Sequence, residues 1–239
     1  MASSIQNIKV LLWDIDGTIL NFLEAEKNAI RQGFAEFNLG ECTDEMLAKY
    51  SAINKKYWER LERNEITKPQ VLEGRFYEFF ESEGIRTDVA ADFNSRYQVN
   101  LGNTICFNDD AYELVSSLKG KVKQYAVTNG TKVAQANKLK RSGLDQIFDG
   151  VFISDEIGVE KPMQGFFDAV WEKIGPVQKD EVMIIGDSLS SDILGGNNAG
   201  ILCCWYNPKK QKRPEDLRIE YEIENLQEVL EILGGIAEE

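Results

Sequence analysis

Short apolar runs closed by polar turn residues punctuate the start and the second half of this chain, and a longer rhythm separates them. Val10–Trp13 is four apolar residues ended by Asp14, too short for a stable helix and suited to a buried strand. The same signature returns at residues 122–127, 151–153, 182–185 and 201–206. Helix-period segments stand between them at 111–118, 132–141, 165–174 and 192–198. Strand and helix in alternation predict a parallel sheet with right-handed crossovers. A polar, basic loop at 207–217 and a closing helix at 226–233 complete this part.

Residues 21–103 follow another period. Ala29, Ile30, Phe34 and Phe37, then Met46, Tyr50, Ile53, Tyr57 and Leu61, recur at the spacings of one helix face. Val71, Leu72, Phe76, Phe79 and Phe80 form a third set, and Phe93, Tyr97 and Leu101 a fourth. Asn21 with Glu24, Thr43, Thr67 with Gln70, and Thr87 supply the helix starts. The division predicted is an α/β core of residues 1–20 and 104–239, interrupted after its first strand by an α-helical bundle of residues 21–103.

Charge and composition narrow the chemistry. Of the 239 residues, 27 are basic and 40 acidic, a net charge of −13 that repels nucleic-acid phosphates. Histidine is absent, which removes histidine phosphatases, Ser-His-Asp hydrolases and histidine-ligated zinc. Cys42, Cys106, Cys203 and Cys204 show no C-x-x-C spacing, and none is followed six residues later by arginine. Burial is expected for the adjacent pair, and a reducing, cytoplasmic compartment for the protein. The first apolar run is too short for a signal peptide, and no stretch reaches membrane-spanning length, so neither membrane nor nucleic acid is expected as a partner.

Four strand ends then stand out. After the first come Asp14, Asp16 and Gly17, two carboxylates at the edge where open α/β sheets gather their ligands. One could attack an electrophile or bind a hard cation while the other moves a proton; the alternative is an Asx turn. The second strand runs into Thr128, Asn129 and Gly130, a hydroxyl, an amide and free N–H groups suited to phosphate oxygens, or an ordinary turn. Lys161 precedes Pro162 near a helix start, where the helix dipole favours anions, and it is either held over an anion or solvated. Asp187 follows Gly186, completing an oxygen-rich set suited to Mg²⁺ or merely capping the next helix.

In this order, Asp14-x-Asp16-Gly17-Thr18, Thr128-Asn129-Gly130, Lys161-Pro162 and Gly186-Asp187 with Asp192 resemble the four motifs of the haloacid dehalogenase superfamily. The resemblance implies a Rossmann-like doubly wound core with a helical cap, and hydrolysis of phosphomonoesters. It implies Asp14 as nucleophile forming an aspartyl-phosphate, Asp16 as general acid and then base, and Lys161 as the neutralising cation. Thr128, Asn129 and Gly130 would hold the phosphoryl oxygens. Asp14, Asp16 through its carbonyl, and Asp187 would hold Mg²⁺, with Asp192 acting from behind them. Asp16 argues against the dehalogenase branch, which lacks that second acid.

Asn54-Lys55-Lys56-Tyr57-Trp58 and Gly74-Arg75-Phe76 in the insert, together with the run 191–196, are most similar to the pyrimidine 5′-nucleotidase branch. The substrate implied is a small phosphorylated metabolite, a nucleoside monophosphate such as UMP, dUMP or dTMP. Phe22, Trp58 and Arg75 are the candidates for accepting the nucleoside, against a reading of the two aromatics as insert core and Arg75 as surface charge. A phosphoglycolate or sugar-phosphate phosphatase would carry the same core motifs. A non-catalytic phosphometabolite sensor or interaction protein is expected to have lost the nucleophile or a metal ligand, and both are present.

Overall fold

The computed structural model describes residues 8–234. Its sheet contains β1 (Val10–Trp13), β2 (Lys123–Thr128), β3 (Gly150–Ile153), β4 (Val182–Gly186), β5 (Leu202–Tyr206) and β6 (Tyr221–Ile223). Every pairing is parallel and the order is β3-β2-β1-β4-β5-β6. β1 is therefore central, and the winding reverses between β1 and β4, where such sheets leave a crevice at their carboxyl edge. β1, β4 and β5 are apolar throughout because both faces are covered: Val10 and Leu12 share one cluster with Ile184, Cys203, Phe166 and Phe167, and Leu11 and Trp13 are buried on the other side. Cys203 and Cys204 are buried, reduced members of β5. β6 was not predicted; its three residues form an edge strand paired to β5 at Cys204–Tyr221, Trp205–Glu222 and Tyr206–Ile223.

Chain contacts divide the molecule into two compact units. One holds the sheet: the chain through Asn21, Phe107–Lys132, and Ser142 onward. The other holds Phe22–Cys106 and Val133–Arg141.

The helical unit is built from α1 (Phe22–Glu36), α2 (Asp44–Glu62), α3 (Lys68–Ser82) and α4 (Ala90–Leu101). After α5 (Ala111–Leu118) and β2 in the sheet unit, most of α6 (Lys132–Ser142) belongs with these helices. Sequence signals set the starts. Thr43 Oγ1 accepts from the Met46 N–H at 3.2 Å, and Gln70 Oε1 accepts from the Thr67 N–H at 2.8 Å within a full capping box. Thr87 opens a single 3₁₀ turn before α4. The apolar faces meet in an aromatic core, with Phe76 centred 5.1 Å from both Tyr50 and Phe93.

That core also buries polar groups. Glu26 accepts from the Ser51 hydroxyl and, at 2.7 Å, from Asn54 Nδ2. Asn54 Oδ1 in turn accepts from Arg75 Nη1 at 2.7 Å, and Arg75 Nη2 donates to Asn94 Oδ1 at 3.1 Å. The guanidinium carbon lies 5.1 Å from the ring centroids of both Phe76 and Tyr97.

The remaining helices are α7 (Ser154–Ile157), α8 (Gln164–Ile174), α9 (Leu194–Ala199) and α10 (Val229–Ile232). The closing helix is thus a 3₁₀ turn at Leu226–Glu228 followed by one α-helical turn. Among the described residues no helix is long and apolar enough to cross a membrane.

Candidate active site

The site begins where β1 ends beside β4. The Asp14 N–H bonds the Ile185 carbonyl at 2.9 Å, so the sheet ladder itself places this carboxylate. Its side chain is held from both oxygens. Lys161 Nζ donates to Oδ1 at 2.9 Å and the Thr18 hydroxyl donates to Oδ2 at 3.0 Å.

Lys161 is completely buried. Its ammonium also donates to Asp192 Oδ1 at 2.6 Å and to the Val127 carbonyl at 2.7 Å, so all three protons are used. The solvated alternative for this lysine is excluded. Asn129 fixes its backbone: Nδ2 donates to the Lys161 carbonyl at 2.9 Å while Oδ1 accepts from the Lys161 N–H at 2.8 Å. The Asn129 side chain therefore supports the lysine. Thr128 is buried, and its Oγ1 accepts from the Gly130 N–H at 3.2 Å.

Asp187 is not the cap of the following helical turn. Ser188 performs that role, accepting from the Ser191 N–H at 3.2 Å. Asp187 instead receives Trp205 Nε1 on its carbonyl at 3.1 Å and donates its own N–H to Thr18 Oγ1 at 3.0 Å. Asp192 Oδ2 accepts from the Ser188 N–H at 3.1 Å.

Two glycines make the approach possible. Gly17 has φ +102°, and a Cβ there would stand 2.7 Å from both Asp187 carboxylate oxygens. A Cβ on Gly186 would overlap Asp192.

Carboxylate oxygens of Asp14, Asp187 and Asp192 lie within 4.8 Å of one another. Three acids thus share one ammonium. Burial and the Asp192 charge push Asp14 well above the ordinary carboxyl range despite Lys161, with Asp187 adding to the shift. Asp187 is pushed up to about 7 by burial and then by Asp192. For Lys161, burial acts downward, but Asp14 and Asp192 outweigh it and hold the ammonium protonated. Excess negative charge on oxygen ligands is the electrostatic condition a divalent hard cation relieves, so the donor set fits Mg²⁺.

Asp14, Lys161, Asp187 and Asp192 thus stand together, with Thr128 next to the Val127 whose carbonyl Lys161 holds. Asp16 lies on the same loop and is half-buried. Phe22, Trp58 and Arg75 belong to the helical unit. Phe22 and Trp58 are half-buried there, and Phe22 carries the Lys138 ammonium 5.5 Å from its ring centroid. Arg75 is only 1% exposed, so it is no surface charge, and its guanidinium is engaged by Asn54 and Asn94 inside the bundle. The Thr18 and Ser188 roles went unpredicted, although Thr18 closes the first motif and Ser188 directly follows Asp187.

The sequence profile of the haloacid dehalogenase-like hydrolases matches residues 8–200. The chain is 35% identical to the HAD-hydrolase YfnB of Bacillus subtilis over 95% of each chain. A crystal structure of YfnB bound to magnesium superposes with a TM-score of 0.90, covering 95% of this chain and 99% of that one. Identity is 34% to the pyrimidine 5′-nucleotidase PynA of Streptococcus pneumoniae, over 94% of both chains. It is 31% to the pyrimidine 5′-nucleotidase YjjG of Escherichia coli, over 93% of this chain and 96% of that one.

Proposed function

The chain belongs to the haloacid dehalogenase-like hydrolases, and from that premise we propose a magnesium-dependent 5′-nucleotidase acting on pyrimidine nucleoside monophosphates. The observation that carries the chemistry is the Asp14 carboxylate gripped by Lys161 and Thr18 beside two further acids. The substrate class is supported by likeness to PynA and YjjG along nearly the whole of each chain.

Phosphate-monoester hydrolysis is so slow unaided that accelerations reach ~10²¹, so nucleophile, acid and charge stabilisation must act together. In the proposed reaction an Asp14 oxygen attacks phosphorus, and the bond to the nucleoside 5′-oxygen breaks. Asp16 gives that oxygen its proton, so the nucleoside leaves as an alcohol. Asp16, now a carboxylate, takes a proton from water as the water attacks the aspartyl-phosphate, releasing inorganic phosphate and restoring Asp14. Its half-exposure suits a group that must meet a leaving oxygen and then water. Lys161 keeps Asp14 oriented and offsets charge beside it, and Thr128 with the Asn129 and Gly130 N–H groups receives phosphoryl oxygens. Mg²⁺, held by Asp14, Asp187 and the Asp16 carbonyl, would supply positive charge against the phosphoryl group. Asp192 serves chiefly to hold Lys161.

We further assign residues 21–103 as a substrate-selecting cap and residues 1–20 with 104–239 as the catalytic core, working in the cytoplasm. Phe22 and Trp58, with ring area exposed, are the side chains assigned to the nucleoside; the Arg75 contribution is indirect, through the bundle that carries them.

The test is Mg²⁺-dependent phosphate release from UMP, dUMP, dTMP, AMP, phosphoglycolate and hexose phosphates. Pyrimidine monophosphates are expected to lead the others by about tenfold or more in kcat/KM, the scale one well-matched pocket supplies. Leadership by phosphoglycolate or a hexose phosphate overturns the nucleotide assignment and keeps the aspartate chemistry.

A further inference from the structure

The chain re-enters the sheet unit at Phe107, and the residues that follow grip the loop carrying Asp14 and Asp16. Phe107 bridges antiparallel to Leu20. The Asn108 N–H donates to the Ile19 carbonyl at 3.0 Å. Asn108 Nδ2 donates to the Thr18 carbonyl at 2.8 Å and to the Gly17 carbonyl at 3.3 Å. Three consecutive carbonyls of the loop are thereby held by one residue some ninety positions away.

The grip is itself anchored. Asp109 and Asp110, the next two residues, both take left-handed backbone conformations at φ 44° and 54°, which aspartate tolerates better than most non-glycine residues. Side-chain bonds hold them there. Asp109 Oδ2 accepts from the Tyr206 hydroxyl at 2.6 Å and from the Leu226 N–H at 3.2 Å. Gln227 Nε2 donates to the Asp109 and Asp110 carbonyls at 3.1 and 3.2 Å. The end of β5 and the C-terminal turn thus fix Asn108 from behind.

What Asn108 fixes in front is the Gly17–Thr18 peptide. Thr18 Oγ1 donates to Asp14 Oδ2 and accepts from the Asp187 N–H, so with the β1–β4 ladder that places the Asp14 backbone it ties the two acids at their working separation. The loop passes so close to Asp187 at Gly17 that a Cβ there would clash with its carboxylate.

We propose that Asn108 is a positioning residue for the reaction: through the Gly17 and Thr18 carbonyls it sets the spacing of Asp14 and Asp187, and with it the grip on the divalent cation. This rests on the metal assignment above. Asn108→Asp keeps the shape but turns an acceptor toward two carbonyls, whereas Asn108→Ala merely removes the donor.

The experiment measures Mn²⁺ binding by electron paramagnetic resonance on both variants and the parent, with folding checked by circular dichroism and thermal unfolding. Mn²⁺ stands in for Mg²⁺. kcat and KM are measured in parallel. Both variants should bind Mn²⁺ about 10- to 100-fold more weakly, the range typical of residues that orient metal ligands, with aspartate the worse. kcat should fall while KM moves far less. Folded Asn108→Ala with parental Mn²⁺ affinity and kcat overturns the proposal, whatever its melting temperature. Should Asn108→Asp fail to fold, Asn108→Ala decides alone. A parent that binds no Mn²⁺ overturns the metal assignment and this proposal with it.

Discussion

Lys161 and Arg75 are both buried cations, at 0% and 1% exposure, yet their neighbourhoods are balanced differently. Around Lys161 stand three carboxylates, two of them in direct contact. Around Arg75 stands one, Glu26, reached through the Asn54 amide, with Asn94 beyond. The helical-unit cluster closes on itself: one charge of each sign, joined by amides, with aromatic faces against the guanidinium. The sheet-unit cluster does not close, because one ammonium cannot neutralise three acids. A buried network that balances can specify a core, whereas one that does not is built for something that arrives from outside. Removing a charged group should therefore have opposite consequences in the two places.

Asp14→Asn breaks the comparison most sharply. Phosphate release should fall by roughly four orders of magnitude or more, as when other covalent nucleophiles are removed. In the absence of divalent cations the same variant should melt above the parent, because it removes one charge from a crowded, buried set. Unchanged phosphate release would overturn the mechanism.

Arg75→Met comes next and acts the other way. It removes the charge that partly offsets Glu26 and the donor that holds Asn54 and Asn94, and buried acceptors left unsatisfied cost about 1–3 kcal/mol each, visible as a lower denaturant midpoint. Turnover of a small ester such as phosphoglycolate, per folded molecule, should stay within a few-fold of the parent. A loss comparable with that of Asp14→Asn would place Arg75 in the reaction itself.

Glu26 sharpens the contrast through pH. Burial raises its pKa above the ordinary 4.5, although the Ser51 and Asn54 bonds and the Arg75 charge oppose this. The folded state then holds a proton that the unfolded state has released, so stability falls as pH rises from 4.5 through the folded value, and is level above it. Glu26→Gln should lack that slope. Parallel melting curves for parent and variant from pH 4 to 8 would remove the buried-charge reading.

The smallest effect belongs to an exposed pair on the same helices. Lys56 Nζ lies 3.1 Å from a Glu78 oxygen in solvent, and Lys56→Ala should move the melting temperature by about 1 °C or less. A larger shift would mean that burial is not what separates the two classes of ion pair.

Much of this architecture was legible in the chain. Val10–Trp13 and the segments at 151–153, 182–185 and 201–206 read as buried strands because both faces of a parallel sheet are covered, which leaves unbroken apolar runs, while 122–127 carries Lys123 and Gln124 near its start. Thr43 and Thr67 marked α2 and α3 because capping is a local bond between residues three apart. The edge strand on the β5 side, β6, was not legible, since three residues at a sheet edge carry too little pattern. Nor was Asn108, whose bonds to Gly17 and Thr18 span a whole inserted unit.

What the sequence by itself determined is the roster of chemistry: which acids, which lysine and which glycines end the strands, and the absence of any histidine to do their work. That follows because short-range periodicity and turn chemistry report directly on local structure. Only the tertiary structure decided which of these groups share a charge, that Lys161 spends all three protons inside the site, and that Arg75 is sealed within the bundle. Coulomb interaction and desolvation depend on distance and burial in space, and neither is written in the spacing of residues along a chain.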